Sequence, residues 1–375
     1  MNFIFACGGT AGHINPALAI AWQLKKAIPD ANILFIGAGR DMENRLVPSA
    51  GYELINVKMS GLRRGFKPKD IIHNLLTAAK LVAAGLKIKR IIRSFKPNAA
   101  IGTGGYICYP VLRKAAKMGI PTIVHESNAE PGLTTRMLSG IVDRLLVSFP
   151  DLESRYKKPE RVVFTGTPVR WEPLAKGDEN KQRTSDQKPL VLSFWGSLGA
   201  ERMNEMMAEF ISINLSTESF RHIHAAGMLS GVVEMNENLR KIGVADELPE
   251  WISICEYIDN MQSVMADADL VLCRAGGSTV AELISMRKPA VLIPSPYVSN
   301  NEQFNNAVEV CKAGGALMVE EKDCTGKLLY ETVVSLLSDK EQRDSMAIAH
   351  ETLDVPNAAQ RIAELIISMV GGGAA

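Results

Sequence analysis

The sequence predicts an α/β protein in which two doubly wound domains with parallel sheets face a central ligand cleft. Its 375 residues exceed the roughly 100–200 residues of one ordinary domain, and 46% hydrophobic with 22% charged residues is typical of a globular protein. Short apolar runs alternate with helical patterns along the chain, as in βαβ units. A strand, a glycine-rich turn and a helix follow one another near residue 8 and again near residue 196. This arrangement directs backbone N–H groups and a helix dipole at an anion.

The apolar runs define the expected strands in chain order. In the first half they lie at 2–6, 32–36, 53–57, 98–101, 121–124, 143–147 and 162–164, and in the second half at 190–194, 221–225, 252–255, 269–273, 290–293 and 316–319. Further helical patterns lie near 325–337 and 357–369. Ligands of such sheets bind at the carboxyl ends of the strands, which is where the glycine turns occur.

A polar run at 177–188 marks the boundary between the domains. We predict a first domain at 1–166, a linker at 167–188 and a second domain at 189–356, with the helix near 357–370 packing back on the first domain. A long solvated loop is the alternative interpretation of the polar run.

Composition excludes several classes of protein. The six cysteines form no CxxC pair, which favours buried free thiols in a reducing cytosol. No apolar stretch reaches the ~18 residues that span a bilayer, and the first six residues read as a strand without the basic start of a signal peptide. A net charge of +1 argues against nucleic acid as a partner. No His/Cys cluster indicates a metal, and we expect no cofactor.

One basic segment contrasts with this near-neutral total. Residues 58–96 contain eleven bases and one acid, a net charge of +10, and the rest of the chain carries −9. The bases are Lys58, Arg63, Arg64, Lys67, Lys69, Lys80, Lys87, Lys89, Arg90, Arg93 and Lys96. Large apolar residues lie among them, and Lys80, Lys87 and Arg90 share a helical face. We predict that this segment docks on an anionic membrane surface; a buried helix whose bases reach out to water is the alternative.

Three motifs resemble nucleotide or metal sites but do not fit them. The turn at 8–13 ends in His13, where a P-loop has Lys followed by Ser or Thr, and the turn at 37–39 lacks the third glycine of the dinucleotide fingerprint. Asp267 and Asp269 have the spacing of an Asp-x-Asp metal motif. Because they precede a strand, on the side away from the ligand edge, a simple helix-to-strand turn is favoured.

A series of collinear motifs resembles the MurG family, the UDP-N-acetylglucosamine–N-acetylmuramyl-(pentapeptide) pyrophosphoryl-undecaprenol N-acetylglucosamine transferases. The motifs are GGTAGHINPALA at 8–19, GGY at 104–106 with YP at 109–110, HESN at 125–128 with PGL at 131–133, GTPVR at 166–170, GSLGA at 196–200, YIDNM at 257–261, RAGGSTVAE at 274–282 and QFNNA at 303–307. They cover nearly the whole chain, and their order and spacing make the resemblance specific. Ala11, Ser127 and Trp195 depart from the usual Gly, Gln and Gly, and Trp195 could crowd the donor side.

The resemblance implies the GT-B fold, in which an N-terminal acceptor domain and a C-terminal UDP-sugar domain, both Rossmann-like, face a cleft. It implies an inverting, metal-independent transfer of GlcNAc from UDP-GlcNAc to the muramyl 4-hydroxyl of lipid I, undecaprenyl-pyrophosphoryl-MurNAc-pentapeptide. The product would be lipid II, a precursor of peptidoglycan. The implied location is the cytoplasmic face of the bacterial cell membrane, peripherally bound, with cell-wall synthesis proteins as further partners.

The donor site is expected to stabilise the leaving diphosphate without a metal, which requires fixed donors. Arg170, Ser197 and Thr279, with the backbone amides of the two second-half glycine turns, can supply them. The resemblance further implies that Ile258 presents its backbone to the uracil.

It also implies that Glu282 accepts hydrogen bonds from the ribose hydroxyls and that Gln303 contacts the sugar or its phosphate. The remaining expected binding residues are Thr10, Ala11, Gly12, Tyr106, Asn128, Gly277 and Ser278.

Two residues are candidates for the base that deprotonates the acceptor hydroxyl. They are His13 and Glu126: a histidine is suited to this role by an ordinary pKa near neutrality, whereas a carboxylate would need its pKa raised. His13 could instead hold the diphosphate. Two other classes of protein remain open: another GT-B enzyme such as a UDP-GlcNAc 2-epimerase, which should lack the basic-apolar segment, and a nucleotide-binding subunit without chemistry, which would release no UDP.

Overall fold

The structure is a computed structural model that describes residues 1–57, 83–169, 187–245 and 247–371. The chain divides into two compact units. Unit 1 comprises Met1–Arg170 and Val355–Ala375, and unit 2 comprises Trp171–Asp354. Among the described residues each unit contains one parallel sheet with helices on its faces.

Unit 1 has a seven-stranded sheet in the order β3-β2-β1-β4-β5-β6-β7. Its strands are β1 Asn2–Cys7, β2 Asn32–Gly37, β3 Glu53–Asn56, β4 Ala99–Gly104, β5 Thr122–Glu126, β6 Arg144–Val147 and β7 Val162–Phe164. Its helices are α1 Ala11–Ala27, α2 Asp41–Ser49, α3 with described residues 83–95, α4 Cys108–Ala116, α5 Leu133–Leu138 and the C-terminal α13 Ala358–Gly371.

Unit 2 has a six-stranded sheet in the order β10-β9-β8-β11-β12-β13. Its strands are β8 Leu190–Phe194, β9 Arg221–Ala225, β10 Ile252–Cys255, β11 Leu270–Cys273, β12 Ala290–Leu292 and β13 Ala316–Met318. Its helices are α6 Glu201–Thr217, α7 Gly231–Lys241, α8 Met261–Asp267, α9 Gly277–Ser285, α10 Glu302–Ala313, α11 Gly326–Ser338 and α12 Lys340–Ala349.

The two sheets are buried on both faces, which explains why their strands read as continuous apolar runs in the sequence. In unit 1, Phe5 on β1 stacks on Phe35 of β2, with ring centroids 5.2 Å apart. Helix α13 packs against α1 and contributes the buried Ile362 and Ile366 to the same core. In unit 2, helices α6 and α11 supply much of the core beside β8, β9 and β11.

Strand order reverses direction between β1 and β4 in unit 1 and between β8 and β11 in unit 2. Ligands of doubly wound sheets bind at such switch points. The turn at 8–10 follows β1 and the glycine pair at 104–105 ends β4. The turns at 195–200 and 274–276 follow β8 and β11 in the same way, so each unit has glycine turns at its switch point.

The predicted fold class is confirmed, and every predicted strand is present. The largest difference is β4, which continues to Gly104 instead of ending near residue 101. Most of the predicted linker, residues 170–186, and the first part of the basic segment, residues 58–82, lie outside the described residues.

Candidate active site

The first glycine turn holds His13 at the switch point of unit 1, in the first turn of α1. Its Nδ1 lies 3.0 Å from the carbonyl oxygen of Gly8, and the hydroxyl of Thr10 is 3.4 Å from the same nitrogen. Because a carbonyl oxygen can only accept, Nδ1 carries the hydrogen, and Nε2 of the neutral ring keeps its lone pair. This is the tautomer that a base acting through Nε2 requires.

Residues at the end of strand β4 contact His13 and fix its position. The register between β1 and β4 shifts at the Ala6–Cys7 step, so that β4 has one extra residue, Thr103. The Thr103 hydroxyl donates to the carbonyl oxygen of His13 at 2.6 Å. Gly104 has a φ of +126°, and a β-carbon at this position would overlap the imidazole ring. A glycine at 104 is therefore required to keep the ring where it is.

A buried carboxylate that was not predicted from the sequence lies beside the same turn. Glu43 on α2 accepts hydrogen bonds from the backbone amides of Gly9 at 2.9 Å, Gly39 at 2.6 Å and Arg40 at 3.0 Å. Its position in the first turn of α2 is one where a glutamate caps a helix, a signal that the sequence does contain. The contact with Gly9, 34 residues away in the chain, has no such local signal.

Glu126, the second candidate base, has a saturated carboxylate. Oε1 accepts from the main-chain and side-chain nitrogens of Asn128, both at 3.1 Å, and Oε2 accepts from Gly132 at 3.1 Å and from the Thr135 hydroxyl at 2.6 Å. A carboxylate offers about four acceptor positions, so these bonds leave little capacity for a substrate proton. The geometry favours a role for Glu126 in shaping the loop that carries Asn128.

The neighbouring His125 does not compete for the role of base. It is buried, and its Nε2 donates to the carbonyl oxygen of Gly166 at 3.0 Å. Burial lowers the pKa of its imidazole to about 4. Ser127, one of the departures from the family pattern, lies with its hydroxyl 3.4 Å from the other ring nitrogen.

The other residues predicted for the acceptor side lie near the surface of unit 1. Thr10 is exposed, Ala11 and Gly12 are half-buried in the first turn of α1, and the Tyr106 side chain is 74% exposed just after β4. A ligand can therefore reach these groups in unit 1. Arg170 lies outside the described residues.

In unit 2 the helices α6 and α9 follow the two glycine turns. Their N-cap residues, Ala200 and Gly276, carry no side-chain acceptor for the first-turn amides. Gly277, Ser278 and Thr279 form the first turn of α9. Uncapped helix N-termini at a switch point are suited to a phosphate group.

The turn at 195–200 is held by close backbone packing. A β-carbon on Gly227 would overlap the backbone of Gly199, and a β-carbon on Gly199 would overlap the carbonyl oxygen of Ala226. The amide of Met228 also donates to the carbonyl oxygen of Ser197 at 3.1 Å. These contacts fix the Ser197 hydroxyl, which is half-buried, at the switch point.

Two predicted nucleoside contacts have unused hydrogen-bonding groups. Within the described residues, neither the main-chain N–H and C=O of Ile258 nor the carboxylate of Glu282 has a hydrogen-bond partner. The Glu282 side chain lies on α9 behind its first turn and is half-buried. Burial raises the pKa of this carboxyl to about 8. An unpartnered, desolvated carboxylate is suited to a pair of hydroxyl donors.

Gln303 lines a cavity of about 460 Å³ in unit 2. Its Oε1 accepts from the amide of Ser295 at 2.9 Å, which leaves its NH₂ group as a donor. The same cavity is lined by Arg274 and Glu321, which form a buried ion pair with Nη2 and Oε2 2.6 Å apart. Arg274 also donates to the carbonyl oxygen of Ile293 at 3.1 Å. Sequence reasoning missed this pair, whose members are 47 positions apart.

Trp195 lies in the core of unit 2 and does not project freely from the surface. Its side chain is 4% exposed, its ring lies 6.0 Å from the Arg274 guanidinium, and it forms one wall of the cavity. The Trp195 indole therefore occupies space on the β8 side of this cavity.

The Asp-x-Asp motif forms a turn at the amino end of the sheet. Asp269 accepts a hydrogen bond from the amide of Leu190 at 2.6 Å. Across the described parts of the chain, no group of three or more His, Cys, Asp or Glu is arranged to hold a metal ion. Nor does any helix in those parts have the length and apolarity to cross a membrane.

The fold and these switch-point sites define a class of protein, the two-domain glycosyltransferases. Residues 3–147 match the glycosyltransferase family 28 N-terminal domain, and residues 190–362 match the glycosyltransferase family 28 C-terminal domain. The chain belongs to this family, and its two parallel-sheet units are those of a GT-B enzyme.

The particular branch follows from full-length relatives. The chain is 42% identical to the UDP-N-acetylglucosamine–N-acetylmuramyl-(pentapeptide) pyrophosphoryl-undecaprenol N-acetylglucosamine transferase of Acetivibrio thermocellus, over 100% of both chains. It is 40% identical to the enzyme of the same name from Caldanaerobacter subterraneus, over 98% of this chain and 99% of that one. The crystal structure of Acinetobacter baumannii MurG matches 98% of this chain and 99% of its own, with a TM-score of 0.76 at 26% identity. The chain is thus a member of the MurG family, as its motifs indicated.

Proposed function

We propose that this chain transfers GlcNAc from UDP-GlcNAc to the muramyl 4-hydroxyl of undecaprenyl-pyrophosphoryl-MurNAc-pentapeptide, with inversion and without a metal ion. The observation that carries the proposal is the full-length identity to transferases of this name. The switch-point geometry of each unit supports the chemistry that such a transfer needs.

His13 is the proposed base. Its Nδ1–H is engaged by the Gly8 carbonyl oxygen, and its Nε2 is free to take the proton of the acceptor hydroxyl. As that proton leaves, the hydroxyl oxygen bonds to the anomeric carbon from the face opposite to UDP, and the bond between that carbon and the UDP oxygen breaks. A single displacement of this kind inverts the anomeric centre.

The donor is proposed to bind unit 2. The first turn of α9, from Gly277 to Thr279, and the turn with Ser197 face the diphosphate, because the backbone amides of a helix N-terminus stabilise the charge that develops on it. The free main chain of Ile258 pairs with the uracil edge, and Glu282 takes the ribose hydroxyls. The unused NH₂ group of Gln303 donates to the sugar or its phosphate.

On the acceptor side, Thr10, Ala11, Gly12, Asn128 and Tyr106 are proposed contacts. Glu126 is proposed to orient Asn128 and the following loop, since four hydrogen bonds occupy its carboxylate. Arg170 lies outside the described residues and remains a predicted donor to the diphosphate from the sequence.

The test is a reconstitution with purified protein, UDP-GlcNAc and a soluble lipid I analogue. We expect release of UDP together with a new disaccharide product, in the presence of EDTA as well as in its absence. Without the acceptor analogue there should be no turnover. Conversion of UDP-GlcNAc to an epimer in that control would identify an epimerase, and donor binding with no product would identify a binding subunit.

We also propose that the basic segment attaches the enzyme to the cytoplasmic face of the membrane, where its acceptor resides. In the described part of α3, Ile88, Ile91 and Ile92 are buried, whereas Leu86 is 61% exposed and Arg90 and Arg93 are exposed on the same side. An exposed leucine among bases is suited to an anionic interface, where each base contributes about 1 kcal/mol. Lys80 lies outside the described residues, and Lys87 donates to the carbonyl oxygen of Asn56 at 2.8 Å.

Co-sedimentation with vesicles tests this attachment. Wild-type protein should bind phosphatidylserine-containing vesicles more than phosphatidylcholine vesicles, and less at high salt. Replacing Lys80, Lys87 and Arg90 by Glu should abolish binding without changing the UDP-GlcNAc affinity. The matched control replaces three exposed bases outside the segment, Lys117, Arg144 and Lys157, by Glu, which gives the same change in net charge. Equal loss in both variants would mean that net charge alone attracts the protein.

A further inference from the structure

We propose that Glu43 is a positioning residue for the base, acting on His13 through the single peptide group that joins Gly8 and Gly9. The inference rests on the proposed role of His13. It concerns a residue on a different helix, α2, which no motif of the sequence nominated.

Both partners bind the same peptide group from opposite sides. The N–H of Gly9 donates to Oε2 of Glu43 at 2.9 Å, and the carbonyl oxygen of Gly8 accepts from Nδ1 of His13 at 3.0 Å. In a trans peptide these two groups belong to one conjugated unit and point in opposite directions. Carboxylate, peptide and imidazole therefore form one hydrogen-bonded chain.

The two hydrogen bonds of one peptide group strengthen each other. A negative charge that accepts from the amide N–H draws electron density toward the carbonyl oxygen of the same unit, which then accepts more strongly from the imidazole. When Nε2 takes the acceptor proton, the ring becomes a cation, and the charge of Glu43 is one peptide group away. Glu43 keeps its charge throughout, and Nδ1–H stays bonded to the Gly8 carbonyl oxygen.

Close packing holds the Glu43 carboxylate and the Gly8–Gly9 peptide group in place. Glu43 is fully buried, and a β-carbon on Gly8 would overlap its carboxylate. On the other side, a β-carbon on Gly105 would overlap the carbonyl oxygen of Gly8. The peptide group is thus held between the carboxylate and the backbone of the turn after β4.

Backbone groups stabilise the charge of Glu43, and within the described residues no ion pair joins its carboxylate to a cation. Its other oxygen accepts from Gly39 and Arg40, at the N-terminus of α2, where the helix dipole favours an anion. Within the described residues, the titratable groups near it include the buried Cys7 thiol on β1 and His13 on α1, while the Arg40 side chain is exposed. Burial, then Cys108 and then Glu43 raise the pKa of that thiol, so it stays protonated and adds no competing charge.

The simpler role of Glu43 is to cap α2. A cap alone would explain the bonds to Gly39 and Arg40, and its loss would lower stability without altering the pH dependence of kcat/KM. The two roles therefore differ in the pH dependence of the reaction.

The experiment compares kcat and kcat/KM as functions of pH for wild type, Glu43→Gln, Glu43→Asp and the control Glu53→Gln, with the soluble acceptor analogue. Glu53 is an exposed glutamate on β3 of the same unit. Glu43→Gln should lower kcat about 10- to 100-fold, as loss of a partner that orients a functional histidine does. The acid limb of its kcat/KM profile should move about 0.5–1 pH unit to lower pH, because a unit charge near the base has been removed.

Glu43→Asp keeps the charge on a shorter side chain, so it should restore the acid limb while recovering only part of kcat. Glu53→Gln should match the wild type in both quantities. Circular dichroism and thermal melts give the folded fraction of each variant, to which the rates are normalised.

Three outcomes separate the inference from the proposed function. If His13→Ala retains kcat, His13 is not the base, and the proposed positioning role of Glu43 fails with it. If His13→Ala is inactive while folded Glu43→Gln has the same acid limb of the kcat/KM profile as the wild type, only the positioning role is overturned. Glu43 is then a helix cap. If Glu43→Gln does not fold, the kcat/KM profile of Glu43→Asp is the test. An acid limb displaced by more than about 0.5 pH unit, despite the retained charge, would overturn the positioning role of Glu43.

Discussion

The Glu282 carboxylate has no hydrogen-bond partner within the described residues, and its proposed role as the ribose ligand predicts that donor affinity depends on pH. Its carboxyl has a pKa of about 8 in the free protein because burial disfavours the charged form. The ribose hydroxyls are donors, so they bind the ionised form. Donor binding should therefore become tighter as pH rises through the range in which Glu282 ionises.

The magnitude follows from the fraction of protein that is ionised. A group with a pKa of about 8 is ionised in roughly one molecule in thirty at pH 6.5 and in about three of four at pH 8.5. The apparent Kd is the intrinsic Kd divided by this fraction. Between these two pH values the Kd for UDP-GlcNAc should fall roughly 25-fold, or about 1.9 kcal/mol.

Isothermal titration calorimetry measures this directly. Titrations at pH 7 in buffers with different ionisation enthalpies should report release of about 0.9 proton for each UDP-GlcNAc bound. Glu282→Gln should bind with no such pH dependence, and at pH 8.5 about 10- to 100-fold more weakly, since a hydrogen bond to a charged acceptor contributes roughly 1.5–3 kcal/mol. The control is Glu237→Gln, an exposed glutamate on α7 of the same unit.

A wild-type Kd that stays constant from pH 6.5 to 8.5 would refute the reasoning. The same conclusion follows if Glu282→Gln keeps the wild-type slope, because the titrating group would then lie elsewhere.

Three further predictions concern the effects of His13 and Gly104 on kcat and the effect of His224 on the stability of unit 2. His13→Ala should lower kcat by roughly 10²–10⁴ while the calorimetric Kd for UDP-GlcNAc stays unchanged, and a rise confined to one KM would make His13 a binding residue. Gly104→Ala should displace the imidazole and lower kcat about 10²-fold in the same assay, whereas Gly85→Ala, where a β-carbon meets open space, should retain wild-type kcat. Burial lowers the pKa of His224 to about 4, below its unfolded value near 6.5, so its stabilising effect is complete above pH 6.5 and is lost as pH falls toward 4. Urea unfolding followed by tryptophan fluorescence should therefore show about 3 kcal/mol of acid destabilisation that His224→Gln lacks, and an unchanged slope in that variant would contradict the assignment.

How much of the fold was readable from the sequence depends on burial. Strands such as β1 Asn2–Cys7 and β8 Leu190–Phe194 are buried between helices, so nearly all of their residues are apolar, Ser193 being an exception in β8, and the runs stand out between polar turns. The glycine turns were readable for a related reason, because only glycine tolerates the positive φ of residues such as Gly196 at +91°. Helix α13 was recognised as helical from its periodicity, and its packing against α1 is a property of the folded chain.

The site was readable only in part. Motifs nominated His13 and Glu126 together, but the sequence could not rank them. Their hydrogen bonds differ. The Glu126 carboxylate accepts hydrogen bonds from the residues that follow it, such as Gly132 and Thr135. His13 binds Gly8 through Nδ1, and its Nε2 has no hydrogen-bond partner within the described residues. Local sequence contains the candidates, and the acceptors and donors around them come from residues that folding brings near.

The sequence by itself determined the alternation of strands and helices, the glycine turns at the switch points and the family, because these depend on local conformation and on which residues are apolar. Only the tertiary structure decided that Glu43 binds the first glycine turn, that Arg274 pairs with Glu321 and that Trp195 lies against that pair in the core. Each of these contacts joins residues from different strands or helices of one unit. A buried charge needs hydrogen-bonding or ionic partners, and these come from whichever residues the folded chain places beside it. Because such residues can be far apart in the chain, the sequence pattern does not identify them.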